Sequence, residues 1–124
     1  IESTFADLDQ IVYDYKKKML GGFGLRFVSD AALREAGNIA NFNPDAVKPI
    51  HTVQNIQQPI IIAHGDQDEN IHYSYGEKLF KNTASAEKEF ILVKDAGHFN
   101  VGEKGGRAYQ EKLLNFIKKQ VRKN

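Results

Sequence analysis

The stretch Pro59-Ile-Ile-Ile-Ala-His-Gly-Asp-Gln-Asp68 joins a short apolar run to a polar loop that carries two carboxylates. A continuous apolar run of this length is typical of a strand buried on both faces, as in a parallel sheet. The run Phe90-Ile-Leu-Val93 predicts a second such strand, and the polar loop Asp95-Ala-Gly-His98 follows it. Two buried strands, each ending in a polar loop, indicate an α/β architecture.

Segments with helical spacing of apolar residues surround the two strands. Before the first strand, three helices are predicted: one from a capping box at Thr4 and Asp7 to Gly21, a weaker one from Ser29 to Ala36 stopped by Gly37-Asn38, and a short one from Asn43-Pro44 to about Ile50, limited by Pro49. Two more helices are predicted from Tyr73 to Thr83 and from Glu103 to Arg122. Strands that alternate with helices predict a parallel sheet.

The predicted sheet is small for strands of this kind. A strand that is apolar on both faces must be covered on both faces, and two strands alone leave their edges exposed. We therefore expect the chain to form the end of a larger sheet.

Composition excludes several classes of function. The net charge of +1 argues against a general binder of nucleic acid or of membrane surfaces. The chain has no cysteine, which excludes disulfides and thiolate catalysis and fits a reducing, cytoplasmic compartment. No apolar run approaches the roughly 18 residues of a membrane span. The four histidines lack metal-ligand spacing, so we expect neither a metal site nor a cofactor.

The two polar loops carry residues that can handle protons. Ligands of parallel α/β sheets bind beyond the carboxyl ends of the strands, where the two loops converge if the strands are neighbours. An aspartate there can accept the Nδ1–H of His98, which leaves Nε2 free to take a proton from a nucleophile. Asp68 and Asp66 lie in the same loop and are both candidates for this acid. The aspartate that does not contact the histidine could cap the turn through backbone N–H groups. His64 is interpreted as a structural, hydrogen-bonded residue.

Both loops resemble those of the α/β-hydrolase superfamily. The segment from Pro59 to Asp68 resembles its penultimate strand and acid loop, the segment from Phe90 to His98 resembles its last strand and histidine loop, and Ile1-Glu-Ser-Thr resembles the end of the strand before. The Bem46-like and serine-aminopeptidase-like hydrolases are the closest group. The resemblance implies that Asp68, three residues after Gly65, and His98 are the catalytic acid and histidine.

The same resemblance implies the domain organisation. Residues 1–124 are expected to form the C-terminal part of a single α/β-hydrolase domain. Within it, residues 4–56 are expected to be a helical cap or connecting segment, and residues 57–124 the last two strands with their flanking helices.

A serine in a nucleophile setting is not found in the sequence. Hydrolases of this superfamily place it in a Gly-x-Ser-x-Gly elbow upstream of the acid, and Ser3, Ser29, Ser74 and Ser85 all lie outside such a motif. We therefore expect the C-terminal portion of a longer serine hydrolase that cleaves esters, thioesters or amides of small acyl or peptide substrates. The alternative is an inactive fragment or association module that joins its missing N-terminal portion or a second copy through exposed strands.

Overall fold

The computed structural model describes residues 1–122, and residues 123 and 124 lie outside the described part. Within residues 1–122, seven regular elements follow one another: α1 (Leu8–Met19), α2 (Arg26–Ala40), α3 (Pro49–Thr52), β1 (Ile60–Gly65), α4 (Ser74–Asn82), β2 (Lys88–Val93) and α5 (Val101–Val121). Single 3₁₀ turns at Pro44–Ala46 and Val53–Asn55 flank α3. Within residues 1–122, no helix is both long and apolar enough to cross a bilayer.

The two predicted strands lie side by side and run parallel. Their register pairs Ile60 with Lys88 and ends with Gly65 opposite Val93. The N-terminal residues add a short third parallel segment on the other side of β1, where Glu2 bridges Ala63. Its hydrogen bonds run from Ala63 N to Ile1 O at 2.9 Å and from Ser3 N to Ala63 O at 3.1 Å. β1 is therefore the central strand, as the predicted parallel sheet requires.

The strand β1 is buried on both faces, as its apolar run predicted. On one face, Ile60 and Ile62 pack in a core with Leu79 of α4; on the other, Ala63 packs with residues that include Val101 and Tyr109 of α5. The prediction for β2 was wrong in one respect. Leu92 is 45% exposed, because β2 lies at an edge of the described sheet and one of its faces is incompletely covered.

The first helix begins later than the sequence suggested. Asp7, and not Thr4, caps α1: its carboxylate accepts from Asp9 N at 3.0 Å and from Gln10 N at 3.3 Å. A carboxylate at the first turn also interacts favourably with the helix dipole, which explains why Asp7 is the better cap. The predicted end is confirmed, since Gly21 and Gly22 have positive φ.

The second and third helices differ from the prediction because glycine and proline have other roles there. α2 continues through Gly37, where a Cβ would approach the Phe42 carbonyl oxygen to 2.7 Å; this glycine serves close packing rather than helix termination. Asn43 caps only a 3₁₀ turn, accepting from Asp45 N at 3.0 Å. Pro49 begins α3 instead of ending the preceding helix, since proline is well suited to a first helical position.

The last helix covers the sheet with its N-terminal half. α5 has non-helical dihedrals at Gly106 (φ 52°, ψ −144°), a conformation that favours glycine. Tyr109 is buried against the β2 side, whereas Ile117 and Val121 are more than half exposed. The apolar side chains of this helix therefore contribute to the core only in part.

Candidate active site

The loops after β1 and β2 meet at the carboxyl edge of the sheet. We name residues 66–71 the acid loop and residues 94–100 the histidine loop. Backbone hydrogen bonds join them, from Asp66 N to Val93 O at 3.1 Å and from Gln67 N to Ala96 O at 2.8 Å. Gly65 permits this approach, because a Cβ there would lie 2.2 Å from the Ala96 carbonyl oxygen. The two loops thus form one joined unit.

Asp68 and His98, the two predicted site residues, lie in hydrogen-bond contact in this unit. Nδ1 of His98 is 2.9 Å from Oδ2 of Asp68. The side chain of Asp68 is fully buried, and that of His98 is about a fifth exposed, at 21%. A buried carboxylate beside a partly open imidazole is the arrangement that orients a histidine for proton transfer.

Each carboxylate oxygen of Asp68 accepts two hydrogen-bond contacts. Oδ1 accepts from Asn70 N at 2.9 Å and from Ile71 N at 2.8 Å. Oδ2 lies near Nδ1 of His98 and also 3.1 Å from Nε2 of His64. A buried charge is tolerated when it is satisfied in this way, so the loop is built to hold an ionised carboxylate.

The pKa of Asp68 reflects two opposing causes. Burial raises this pKa, because the charged form loses its hydration. The hydrogen bond from Ile71 N, the hydrogen bond and charge of His98 and the hydrogen bond from Asn70 N lower it. Together they outweigh burial, and the pKa of Asp68 lies below its ordinary value of 3.8. Asp68 is therefore ionised at neutral pH and accepts a hydrogen bond from Nδ1–H of His98.

The histidine loop fixes the ring that faces Asp68. Asp95 adopts a left-handed conformation with φ 57°, and Asn100 Oδ1 accepts from Gly97 N at 2.7 Å. With Nδ1–H donated to Asp68, the lone pair of His98 lies on Nε2, for which residues 1–122 supply no hydrogen-bond partner. This nitrogen is the group that could accept a proton from a nucleophile.

His64 lies beneath Asp68 and completes its environment. Its Nε2 is 2.7 Å from the Ile71 carbonyl oxygen, which can only accept, so Nε2 carries the proton. Its Nδ1 is buried without a hydrogen bond and faces Gly76, where a Cβ would come within 2.8 Å. The sequence interpretation of His64 as a structural, hydrogen-bonded residue did not foresee its contact with Asp68, which depends on the turn of the acid loop.

The remaining candidates lie apart from this pair. Oδ1 of Asp66 is buried without a hydrogen bond, and Asp66 makes no contact with His98 among the described hydrogen bonds. His72 is exposed and its Nδ1 is 2.9 Å from the Ser74 hydroxyl. Within residues 1–122, no serine hydroxyl is hydrogen-bonded to His98, and no cluster of three or more His, Asp or Glu is placed to hold a metal ion.

Comparison with known proteins matches the chain to a protein family and to two relatives in vertebrates. The family model described as the prolyl oligopeptidase family matches residues 28–124. The alpha/beta hydrolase domain-containing proteins 17B of Homo sapiens and Xenopus laevis are each 34% identical over 77 residues, which cover 62% of this chain and 26% of theirs. The chain therefore spans about a quarter of the length of these relatives.

A solved structure resembles the fold over nearly the whole chain. The structure of Rv0554 from Mycobacterium tuberculosis superposes with a TM-score of 0.58 at 14% identity, covering 95% of this chain and 55% of that one. At this identity the likeness shows the fold alone: the predicted α/β class is confirmed, and the chain corresponds to about half of that structure.

Proposed function

Since the chain belongs to the prolyl oligopeptidase family of the α/β-hydrolase superfamily, we propose that it carries the acid and the histidine of a serine hydrolase. The superfamily expected from the sequence is confirmed; the narrower Bem46-like grouping stays a prediction. The observation that supports the proposal most strongly is the buried Asp68 carboxylate 2.9 Å from Nδ1 of His98, at the ends of two parallel strands.

In the proposed reaction, His98 moves the protons and Asp68 orients it. Nε2 of His98 accepts the proton of a serine hydroxyl as that oxygen attacks the acyl carbon, and later returns it to the leaving group. Asp68 keeps the proton on Nδ1 and stabilises the imidazolium that forms. His64 acts through Asp68, as a positioning residue that contacts the same carboxylate oxygen as His98.

The nucleophile and the oxyanion donors belong, in this proposal, to parts of the protein outside these 124 residues. The support is that the curated relatives are much longer than this chain, which covers 26% of them. Acyl transfer needs an activated nucleophile and preorganised donors for the oxyanion, so the Asp68–His98 pair alone would give little catalysis. Esters, thioesters and amides are all open as substrates.

A covalent probe tests this proposal directly. The protein encoded by the complete gene is treated with a fluorophosphonate, which labels activated serines. We expect labelling in the wild type and in His51→Ala, an exposed histidine that serves as the matched control. We expect labelling to be lost in His98→Ala. Failure to label the wild type, or labelling that is unaffected by His98→Ala, would count against a serine hydrolase.

An association module is the second candidate, and exposed apolar groups favour it. Leu92 is 45% exposed on β2, and Phe99, next to His98, is 90% exposed. Such groups are expected where another protein surface packs. Measurement of the molecular mass in solution distinguishes a monomer from a self-associated form. A stable monomer of this chain would argue against self-association. A dimer that dissociates into monomers on Leu92→Lys would support it.

A further inference from the structure

The turn that joins α1 to α2 exposes large apolar side chains to solvent. We name residues 19–27 the tip of the α1–α2 segment. Five residues of this tip are each more than half exposed: Met19, Leu20, Phe23, Leu25 and Phe27. Monomeric proteins rarely expose large apolar side chains in one continuous patch unless something binds there. The tip is therefore a candidate docking surface.

The tip protrudes from the part of the chain that the structure describes. Gly21 and Gly22 have positive φ, and a Cβ on either would meet no atom within 4 Å. Two backbone hydrogen bonds define the turn, from Gly22 N to Lys17 O at 2.9 Å and from Phe23 N to Leu20 O at 3.2 Å. Small molecules bind in concave clefts, whereas a protruding apolar turn is shaped to insert into another surface.

Positive charge surrounds the apolar side chains of the tip. The whole chain has a net charge of only +1, but residues 15–28 contain four cations and no carboxylate: Lys16, Lys17, Lys18 and Arg26. Lys18 lies 3.2 Å from the Glu69 carboxylate. Within residues 1–122, no carboxylate forms an ion pair with Lys16 or Lys17. The tip thus combines exposed apolar groups with cations that have no partner in the described chain.

We propose that the tip of the α1–α2 segment docks on an anionic lipid surface. The apolar side chains enter the boundary of the acyl chains, and the cations lie among the headgroups. Burial of apolar area and attraction to negative headgroups act together in such a contact. The contact lies at the membrane surface and requires no spanning helix. It is independent of the proposed hydrolase reaction.

Charge and shape favour a lipid surface over a second copy of the chain. Two tips brought face to face would place like charges close together, and these would repel one another. A protein partner must also match the shape of the side chains that it covers. Fluid acyl chains adapt to protruding side chains of any shape. A lipid surface therefore fits both the charge and the form of the tip.

Vesicle binding tests the proposal on the protein encoded by the complete gene. Cosedimentation compares vesicles of phosphatidylcholine alone with vesicles that also contain about 30% phosphatidylserine. We expect binding to the anionic vesicles and an affinity at least about tenfold lower for the neutral ones. Raising the salt concentration to about 0.5 M should weaken the binding to anionic vesicles, because it screens the headgroup charge.

Apolar variants assign the binding to the tip. Phe23→Ser combined with Phe27→Ser removes two exposed apolar side chains and should weaken vesicle binding at least about tenfold. The matched control is Ile117→Ser combined with Val121→Ser, at residues that are 56% and 69% exposed on α5. Among the described elements, α5 packs on β1 and β2 and not on α1 or α2. The control should bind vesicles like the wild type.

Charge variants test the second half of the contact. Lys16→Gln combined with Lys17→Gln removes two cations beside the tip and should weaken binding to anionic vesicles about tenfold or more. Lys104→Gln combined with Lys112→Gln makes the same change in charge at exposed residues of α5 and should leave the binding unchanged. The comparison separates attraction at the tip from a general effect of net charge.

A fluorescent variant reports insertion directly. The 124 residues contain no tryptophan, so Phe23→Trp adds a reporter to the tip. We expect its emission to shift to the blue on anionic vesicles and to be quenched by brominated acyl chains. Both changes are measured as the difference from the protein without this substitution. Ile117→Trp on α5 is the control and should show neither change.

The outcomes separate a lipid surface from other occupants of the tip. Failure to bind anionic vesicles, binding that either pair of tip substitutions leaves unchanged, or Phe23→Trp emission that brominated lipid does not quench would overturn the proposal. A molecular mass in solution that halves on Phe23→Ser with Phe27→Ser would assign the tip to a second copy and would overturn it too. Fluorophosphonate labelling is unaffected by any of these results, so the hydrolase stands or fails separately.

Discussion

The joined loops and the α1–α2 segment differ in which side chains they bury and which they expose to solvent. In the loops, the fully buried Asp68 carboxylate has hydrogen-bond contacts to both oxygens, and its neighbour His64 is fully buried too. In α1, α2 and their connection, large apolar side chains face solvent: Met19, Phe23, Phe27 and Ile39 are each exposed by about 70% or more. The polar site is thus buried, whereas much apolar surface of the helical segment is exposed.

This difference indicates where stability resides. Substitution of a buried group that is hydrogen-bonded or packed lowers the free energy of unfolding strongly, whereas substitution of an exposed side chain changes it little. The geometry of Asp68 and His98 should therefore depend strongly on the loops and the sheet core. The tip of the α1–α2 segment, which the core does not cover, should tolerate change.

The largest contrast is expected between core and tip. Leu79→Ala, at a fully buried residue of α4, should lower the free energy of unfolding by about 3 kcal/mol. Phe23→Ala, at a residue 80% exposed, should change it by less than about 0.5 kcal/mol. Urea denaturation measures both. Equal losses in unfolding free energy would mean that the tip of the α1–α2 segment stabilises the protein as much as the core does, which would contradict the proposed difference between them.

A glycine pair tests the joined loops. Gly65→Ala should cost about 3 kcal/mol, because the new methyl group would overlap the Ala96 carbonyl oxygen, which is backbone and cannot move aside alone. Gly102→Ala on α5 meets no atom within 4 Å and should stabilise by about 0.5 kcal/mol. Thermal or urea denaturation gives both values. If Gly65→Ala leaves the free energy of unfolding unchanged, the two loops are not closely joined.

Substitution of His64, which contacts the acid loop, should lower the free energy of unfolding by a smaller amount. His64→Leu retains bulk but removes the donor to the Ile71 carbonyl, which should cost about 2 kcal/mol in free energy of unfolding. His64→Gln can still donate and should recover part of that loss. If both variants match the wild type in urea denaturation, the contact of His64 with Asp68 and Ile71 contributes nothing to stability.

The pH dependence of stability gives the smallest expected effect. The pKa of Asp68 is lower in the folded protein than the ordinary value of 3.8, so the stabilisation from its ionised form is complete above that value. It decreases as the pH falls through 3.8 towards the folded pKa. The difference in unfolding free energy between wild type and Asp68→Asn should therefore narrow between pH 6 and pH 3. A constant or widening difference would contradict the direction of this pKa shift.

Much of the sheet and the meeting of the two loops could be predicted from the sequence. The apolar runs at residues 60–63 and 90–93 form most of β1 and β2, and neighbouring parallel strands bring their carboxyl ends to the same edge of the sheet. A contact between the acid loop and His98 was thus foreseeable, and the resemblance to α/β-hydrolases implied that Asp68 rather than Asp66 makes it. The contact of His64 was not, because it depends on the turn that brings Ile71 back over β1.

The helical segment was predicted less well, for local physical reasons. Thr4 and Asp7 can each cap a helix, and only the packed structure decides between them. Gly37 serves either as a stop or as a close contact, and the second use depends on Phe42 and Pro44 lying beside it. In α5, helical spacing identifies an apolar face but not how much of that face another element covers, and Ile117 and Val121 are more than half exposed.

The most direct measurement compares two aspartates of one loop in the protein encoded by the complete gene. Asp68 contacts His98, while Asp66, two residues earlier, does not. Asp68→Asn should lower kcat for ester hydrolysis by about 10⁴-fold, since the ring then loses the acceptor that sets its tautomer. Asp66→Asn should leave kcat within a few-fold of wild type. A large loss in Asp66→Asn together with a small loss in Asp68→Asn would contradict the assignment of Asp68 and His98 as the catalytic acid and base.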